Sequence, residues 1–163
     1  MGHQMYIQTA DGQVASGTGN TFYFTHWATL ALTVETMARF GMVTELPCPS
    51  VPEMSSYGLT VQDLEFPSRT LPDPEIVRRL TEFQSAYQTV LDTAEATPDG
   101  IPSYKLVNEV GFLVTTAEIS AALASYEGHP DANNAERPGS DPTWRIWVAF
   151  LRHARTQGGF RAY

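Results

Sequence analysis

Cysteine occurs once in this chain, as Cys48. An internal disulfide is therefore excluded, and so is a zinc site built on cysteines. Long apolar runs are missing as well, and none approaches the roughly 20 residues a membrane-spanning helix needs. The opening MGHQMYIQTADG lacks the basic-then-apolar order of a signal peptide. Tyr6 stands where a myristoylated chain favours serine or threonine. Together these absences give the expectation of a cytoplasmic protein with no membrane partner. Lysine is scarce too: Lys105 is the one non-arginine among the ten basic residues. No Gly-x-Ser-x-Gly, no His-Glu-x-x-His and no acid–base pair of carboxylates stands out. No catalytic residue, cofactor or metal is therefore assigned, and the reading leans away from an enzyme.

What is present describes a folded chain. Of 163 residues, 42% are apolar and 17% charged, which suits one compact domain over 1–163 and argues against disorder. The net charge of −8 is unevenly placed. From Pro142 onward there are four arginines and no acid, so the residues before it carry −12. Such an acidic body excludes a nonspecific nucleic-acid binder, because neutralising phosphates takes a broad basic surface.

The most informative stretch is the end of the chain, DPTWRIWVAFLRHARTQGGFRAY. Asp141 reads as an N-cap and Pro142 as the first helical residue. Trp144, Trp147, Val148, Leu151 and Ala154 recur at helical spacing on one face, widened by Ile146 and Phe150. Gly158 reads as the left-handed stop, with Phe160 and Tyr163 returning to the core in a short terminal strand. Arg145, Arg152 and Arg155 fall off the apolar stripe. With Arg161 they form a candidate cationic patch, since the arginine fork suits carboxylate and phosphate. The competing reading is a core helix whose arginines are solvated or paired with the chain's own acids.

Elsewhere the pattern predicts helices alternating with short strands. Met5 to Thr9 has strand character. Thr25 caps a helix carrying Trp27, Leu30, Val34 and Met37 and ending at Gly41. Leu46 to Pro52 is a proline-rich connector, and Gly58 to Phe66 reads as an edge strand. Asp73 opens a helix to about Ala96 with Ile76, Leu80, Phe83, Tyr87, Val90 and Ala94 on one face. That face is a candidate homodimer surface. Pro98 to Pro102 is a turn, and Tyr104 to Val110 a short helix ending at Gly111. Thr115-x-x-Glu118 is a capping box opening another helix. Gly128 to Asp141 is a polar loop. The sum is an α+β fold, helix-dominated, with about four helices and a small sheet of short strands.

The last third, from VNEVGFLVTTAEISAAL to WRIWVAFLRHARTQGGFRAY, resembles uncharacterised small bacterial and phage proteins with a C-terminal tryptophan helix ending in Gly-Gly-Phe. The resemblance implies a bacterial or phage origin and, for a phage protein, a regulatory or counter-defence binding role. It implies no activity.

Three further places carry candidate chemistry. The glycines of Gly17-Thr18-Gly19-Asn20-Thr21 let backbone amides converge on a phosphate, though the P-loop lysine is missing. His26 and Trp27 can flank a flat ligand. His129 and Asp131, with Glu127 and Glu136 near, offer mixed metal ligands at a spacing that matches no named motif. His153 would join the arginine patch, and Cys48 lacks an identifiable histidine partner. The leading expectation is a non-enzymatic, oligomeric protein binding an anionic, nucleotide-like small molecule or an acidic protein surface. One alternative is a small hydrolase or transferase acting on a phosphorylated substrate through His26, His129 or His153. The other is a homo-oligomeric assembly component.

Overall fold

The computed structural model describes residues 2–16, 21–64, 73–132 and 141–163. The chain divides into two compact units, residues 1–48 with 94–163, and residues 49–93.

The first unit is built on a four-stranded antiparallel sheet. Its strands are β1 (Gly2–Ile7), β2 (Phe22–His26), β5 (Leu113–Val114) and β6 (Phe160–Ala162), in the order β2-β1-β6-β5. Alternation decides which side chains point inward. His3, Met5 and Ile7 of β1 and Tyr23 and Thr25 of β2 are buried, and the register places His3 opposite Thr25 and Met5 opposite Tyr23. Phe22 and Phe24 face outward on β2, an edge strand. A two-stranded parallel pair joins β3 (Val43–Thr44) to β4 (Ile101–Pro102). Gly100 is required beside this pair, because a Cβ there would lie 2.6 Å from the Met42 carbonyl oxygen.

Four helices belong to this unit: α1 (Trp27–Arg39), α3 (Ser103–Val107), α4 (Thr116–Glu127) and α5 (Pro142–Arg155). Thr25 remains in β2 and does not cap α1, whose N-cap is His26. Gly41 ends that helix in the left-handed region at φ +66°, as its position after the apolar run predicts. The capping box at Thr115 and Glu118 is formed in full. Glu118 does a second job: its Oε1 accepts from Lys105 Nζ at 2.7 Å, while both side chains are buried. Lys105 also donates to the Leu113 carbonyl, so the chain's single lysine ties α3 to β5 and α4.

Asp141 caps α5 through the amide of Thr143, and Pro142 opens it. The apolar stripe of α5 is buried as its spacing predicts, with Ile146 the exception at 57% exposed. Trp147 sits 5.1 Å from Tyr23, 5.7 Å from Phe150 and 6.1 Å from Phe160, centroid to centroid, so helix and sheet share one aromatic core. The expected stop is displaced by one residue. The left-handed glycine is Gly159 (φ +85°), and α5 itself ends at Arg155. Gly158 is needed for a different reason: any Cβ there would collide with the Thr9 carbonyl, where the Gly158 amide bonds Gln8 O at 2.7 Å.

The second unit holds α2 (Pro74–Leu91) and two 3₁₀ turns, Met54–Tyr57 and Val61–Leu64. The strand expected over Gly58 to Phe66 is not formed in its described part. Asp63 instead accepts from both the amide and the hydroxyl of Thr60, which closes a turn and holds its carboxyl below the usual range. The helix α2 begins at the predicted cap, Asp73, but stops at Leu91, short of Ala96. Its exposed N-terminal turn pairs Glu75 with Arg78 and Arg79, whose hydrogen bonds pull the Glu75 carboxyl down to about 2. The face expected to be apolar is half-buried at Phe83, Tyr87 and Val90. Among the described residues, no helix is long and apolar enough to cross a membrane.

Candidate functional site

Three segments of the first unit meet at an open cleft of about 500 Å³. The second residue of β1 supplies His3, the first residue of α1 supplies Trp27, and the end of α3 with the chain after it supplies Val107, Asn108 and Glu109. Each is held by ordinary local structure. Strand alternation turns His3 inward, beside Met5 and Ile7. The β2-to-α1 junction puts Trp27 at the helix start, where its ring stacks on His3 with centroids 5.1 Å apart and planes 25° from parallel. At the end of α3, Asn108 folds its amide back onto the Tyr104 carbonyl at 2.9 Å, fixing the chain that presents Glu109. The Asn108 amide also reaches Cys48 Sγ at 3.7 Å.

The chemistry of the cleft is uneven between its buried and open parts. His3 is only 2% exposed, and its Nε2 lies 3.3 Å from Glu109 Oε1. With that nitrogen aimed at the carboxylate, Nδ1 is fully buried and has no hydrogen-bond partner among the described residues. A buried polar atom left this way costs about 1–3 kcal/mol, which marks it for an explanation. Among the described residues Trp147 Nε1 is the other such nitrogen, but its indole is enclosed in the aromatic core. Trp27, by contrast, is 53% exposed, although tryptophan is usually well buried. Glu109 is 45% exposed beside it. Among the described residues lining this cleft there is no hydroxyl or thiol side chain.

The residues singled out in the sequence fall in several places. Trp27 lines the cleft, but its ring partner is His3 and not His26, which is exposed on the outer face of β2 and packs edge-on to Phe24. Arg145, Arg152 and Arg155 are exposed along α5. Arg152 meets Glu127 at 3.0 Å, whereas Arg145 and Arg155 have no side-chain partner among the described residues. Arg161 departs from this group. It is buried on β6 and donates to the Gly111 carbonyl at 2.8 Å. Gly17, Thr18, Gly19 and Asn20 lie outside the described residues, and the Thr21 carbonyl accepts from the Ile7 amide.

His129 turns its Nδ1 to the backbone amide of Asp131 at 3.2 Å and packs against Phe40. Among the described residues no group of three His, Cys, Asp or Glu side chains converges on a metal position. His153 is half-buried on α5. Two other open cavities lie elsewhere. One, of about 760 Å³, runs along α2 beside Phe83 and Tyr87, and the other, of about 230 Å³, lies between Thr33 and Trp144. Among the described residues lining the three cavities there is no arginine.

His3 and Glu109 were missed in the sequence. A strand begun at Met5 leaves His3 outside the pattern; extending the alternation two residues back would have turned it inward with Met5 and Ile7. Nothing local marks Glu109, which becomes distinctive only when α3 brings it to β1. No protein-family model, curated protein or solved structure matches the chain.

Proposed function

We propose that this chain is a non-enzymatic binding protein and that its ligand is a small molecule seated in the cleft beside Trp27. The observation that carries this reading is the pairing of a buried imidazole, one nitrogen unsatisfied, with an indole left half in solvent directly above it. The half-exposed indole is a costly arrangement for stability alone, and a ligand that covers it explains it. A binding role is favoured over turnover because the histidine nitrogen free of Glu109 is sealed from the cleft. A general base must reach the proton it takes. A saturation-transfer NMR screen of a fragment library tests the proposal. Hits that vanish with Trp27→Ala support it, and hits that persist in that variant, or a library without hits, contradict it.

A second reading keeps the acidic or anionic partner and places it on α5. It is favoured by Arg145 and Arg155, exposed and without a described partner on the same side of the helix as Arg152. Titration of an acidic peptide or nucleotide against Arg152→Ala/Arg155→Ala checks it. Affinity that falls and loses its salt dependence supports this surface, and unchanged affinity removes it.

A further inference from the structure

The cleft has a sign. Among the described residues its lining holds one acid, Glu109, and no lysine or arginine. One oxygen of the Glu109 carboxylate lies 3.3 Å from His3 Nε2, and the side chain stays 45% exposed. Next to it lies the Trp27 ring, one side covered by the imidazole and 53% of the residue open. The face of an indole carries negative charge density and attracts cations, most strongly where water is partly excluded. Carboxylate and indole therefore act in the same direction. The protein's net charge of −8 adds a field that draws cations to the surface. The buried histidine also has a place in this arrangement: its Nε2 lies beside the carboxylate while its ring backs the indole, so one buried ring borders both ligand-facing groups.

We infer that the cleft selects a planar organic cation, an amidinium, guanidinium or aromatic ammonium group, stacked on Trp27 with its N–H groups on Glu109. This rests on the proposal that the cleft is the binding site and adds the charge and shape of what it takes. A planar N–H fork matches a carboxylate in two parallel hydrogen bonds, which a spherical cation cannot do. An anion is disfavoured by Glu109, and a neutral ring gains the stacking but not the charge. The selection is thus opposite in sign to that of the α5 arginines.

Three isosteric probes separate these cases: benzamidinium, neutral benzamide and anionic benzoate, titrated calorimetrically and followed by the Trp27 indole signal in NMR. The expected order is benzamidinium first, tighter than benzamide by about tenfold, with benzoate weakest. Glu109→Gln should erase the advantage of the cation and leave benzamide unchanged. Glu127→Gln, a carboxylate on α4 away from the cleft lining, should alter nothing. Raising salt should weaken benzamidinium alone. Equal binding of all three probes at Trp27 would overturn the charge selection and leave the cleft as the site. Failure of all three to shift Trp27 would overturn both proposals.

Discussion

Arg145, Arg152 and Arg155 are brought together by the repeat of a single helix; His3, Trp27, Asn108 and Glu109 come from three segments that meet only after folding. The two regions also differ in how firmly they are set. The arginines stand on long solvated side chains, one of them in a surface ion pair with Glu127. Surface pairs of that kind are screened and are worth about 0–1 kcal/mol. In the cleft, strand, helix start and helix exit each supply one group, and the His3 ring lies against Trp27 and 3.3 Å from Glu109. Charge clustered in sequence is therefore a weak guide to a preorganised site. The buried side of α5 carries the fold, its solvent side carries loose charge, and the cleft holds the groups whose arrangement a ligand would complete.

That division is sharpest where stability and binding are pulled apart. Trp147→Ala opens the aromatic core beneath α5 and should cost about 3–5 kcal/mol, read by chemical denaturation. Below its unfolding transition the variant should keep wild-type affinity at Trp27. Loss of binding in the folded variant would mean that α5 and the cleft are not separable. His3→Phe runs the other way. It keeps a ring against Trp27 and removes the unsatisfied nitrogen, so stability should hold or rise by about 1 kcal/mol while benzamidinium affinity falls. A large loss of stability would make His3 an ordinary core residue.

Much of the fold was legible from the chain. The capping box at Thr115, the Asp141-Pro142 start, the left-handed Gly41 and the apolar stripe of α5 rest on local patterns that tertiary packing then reinforced. The misreadings share a cause in short-range competition or in long-range approach. Asp63 closes a turn on Thr60 where alternation of Leu59 and Val61 read as a strand. Gly158 is constrained by Thr9, distant in sequence, and the left-handed role passes to Gly159. The site was less legible than the fold. Trp27 was visible as an aromatic at a helix start, but its partners His3 and Glu109 have no spacing that links them. Arg161 looked like a fourth member of the arginine patch because nothing local shows that β6 lies between β1 and β5 with all three of its residues buried.

Smaller effects test the scaffold around the cleft. Tyr104 lies in the first turn of α3, whose exit presents Glu109, and burial, with Glu118, Cys48 and Glu95 nearby, pushes its hydroxyl up to about 12. The unfolded chain loses that proton near 10, so the folded state binds more protons between these values. Stability should therefore fall as pH rises from about 10 to about 12, and Tyr104→Phe should flatten that slope in denaturation curves. An unaltered slope would place the alkaline sensitivity elsewhere. Smallest of all, Arg152→Ala should cost about 0–1 kcal/mol and leave cleft binding untouched. A larger loss would show that the α5 surface is more tightly set than its exposure indicates.

The most direct measurement follows the three tryptophan indole N–H signals in one NMR titration with benzamidinium. Trp144 and Trp147 are buried in the core and Trp27 is not, so the signals report separate places. A saturable shift confined to Trp27, absent in Glu109→Gln, is the expected result. Shifts shared by all three signals, or a Trp27 signal indifferent to the probe, would contradict a ligand site at this cleft.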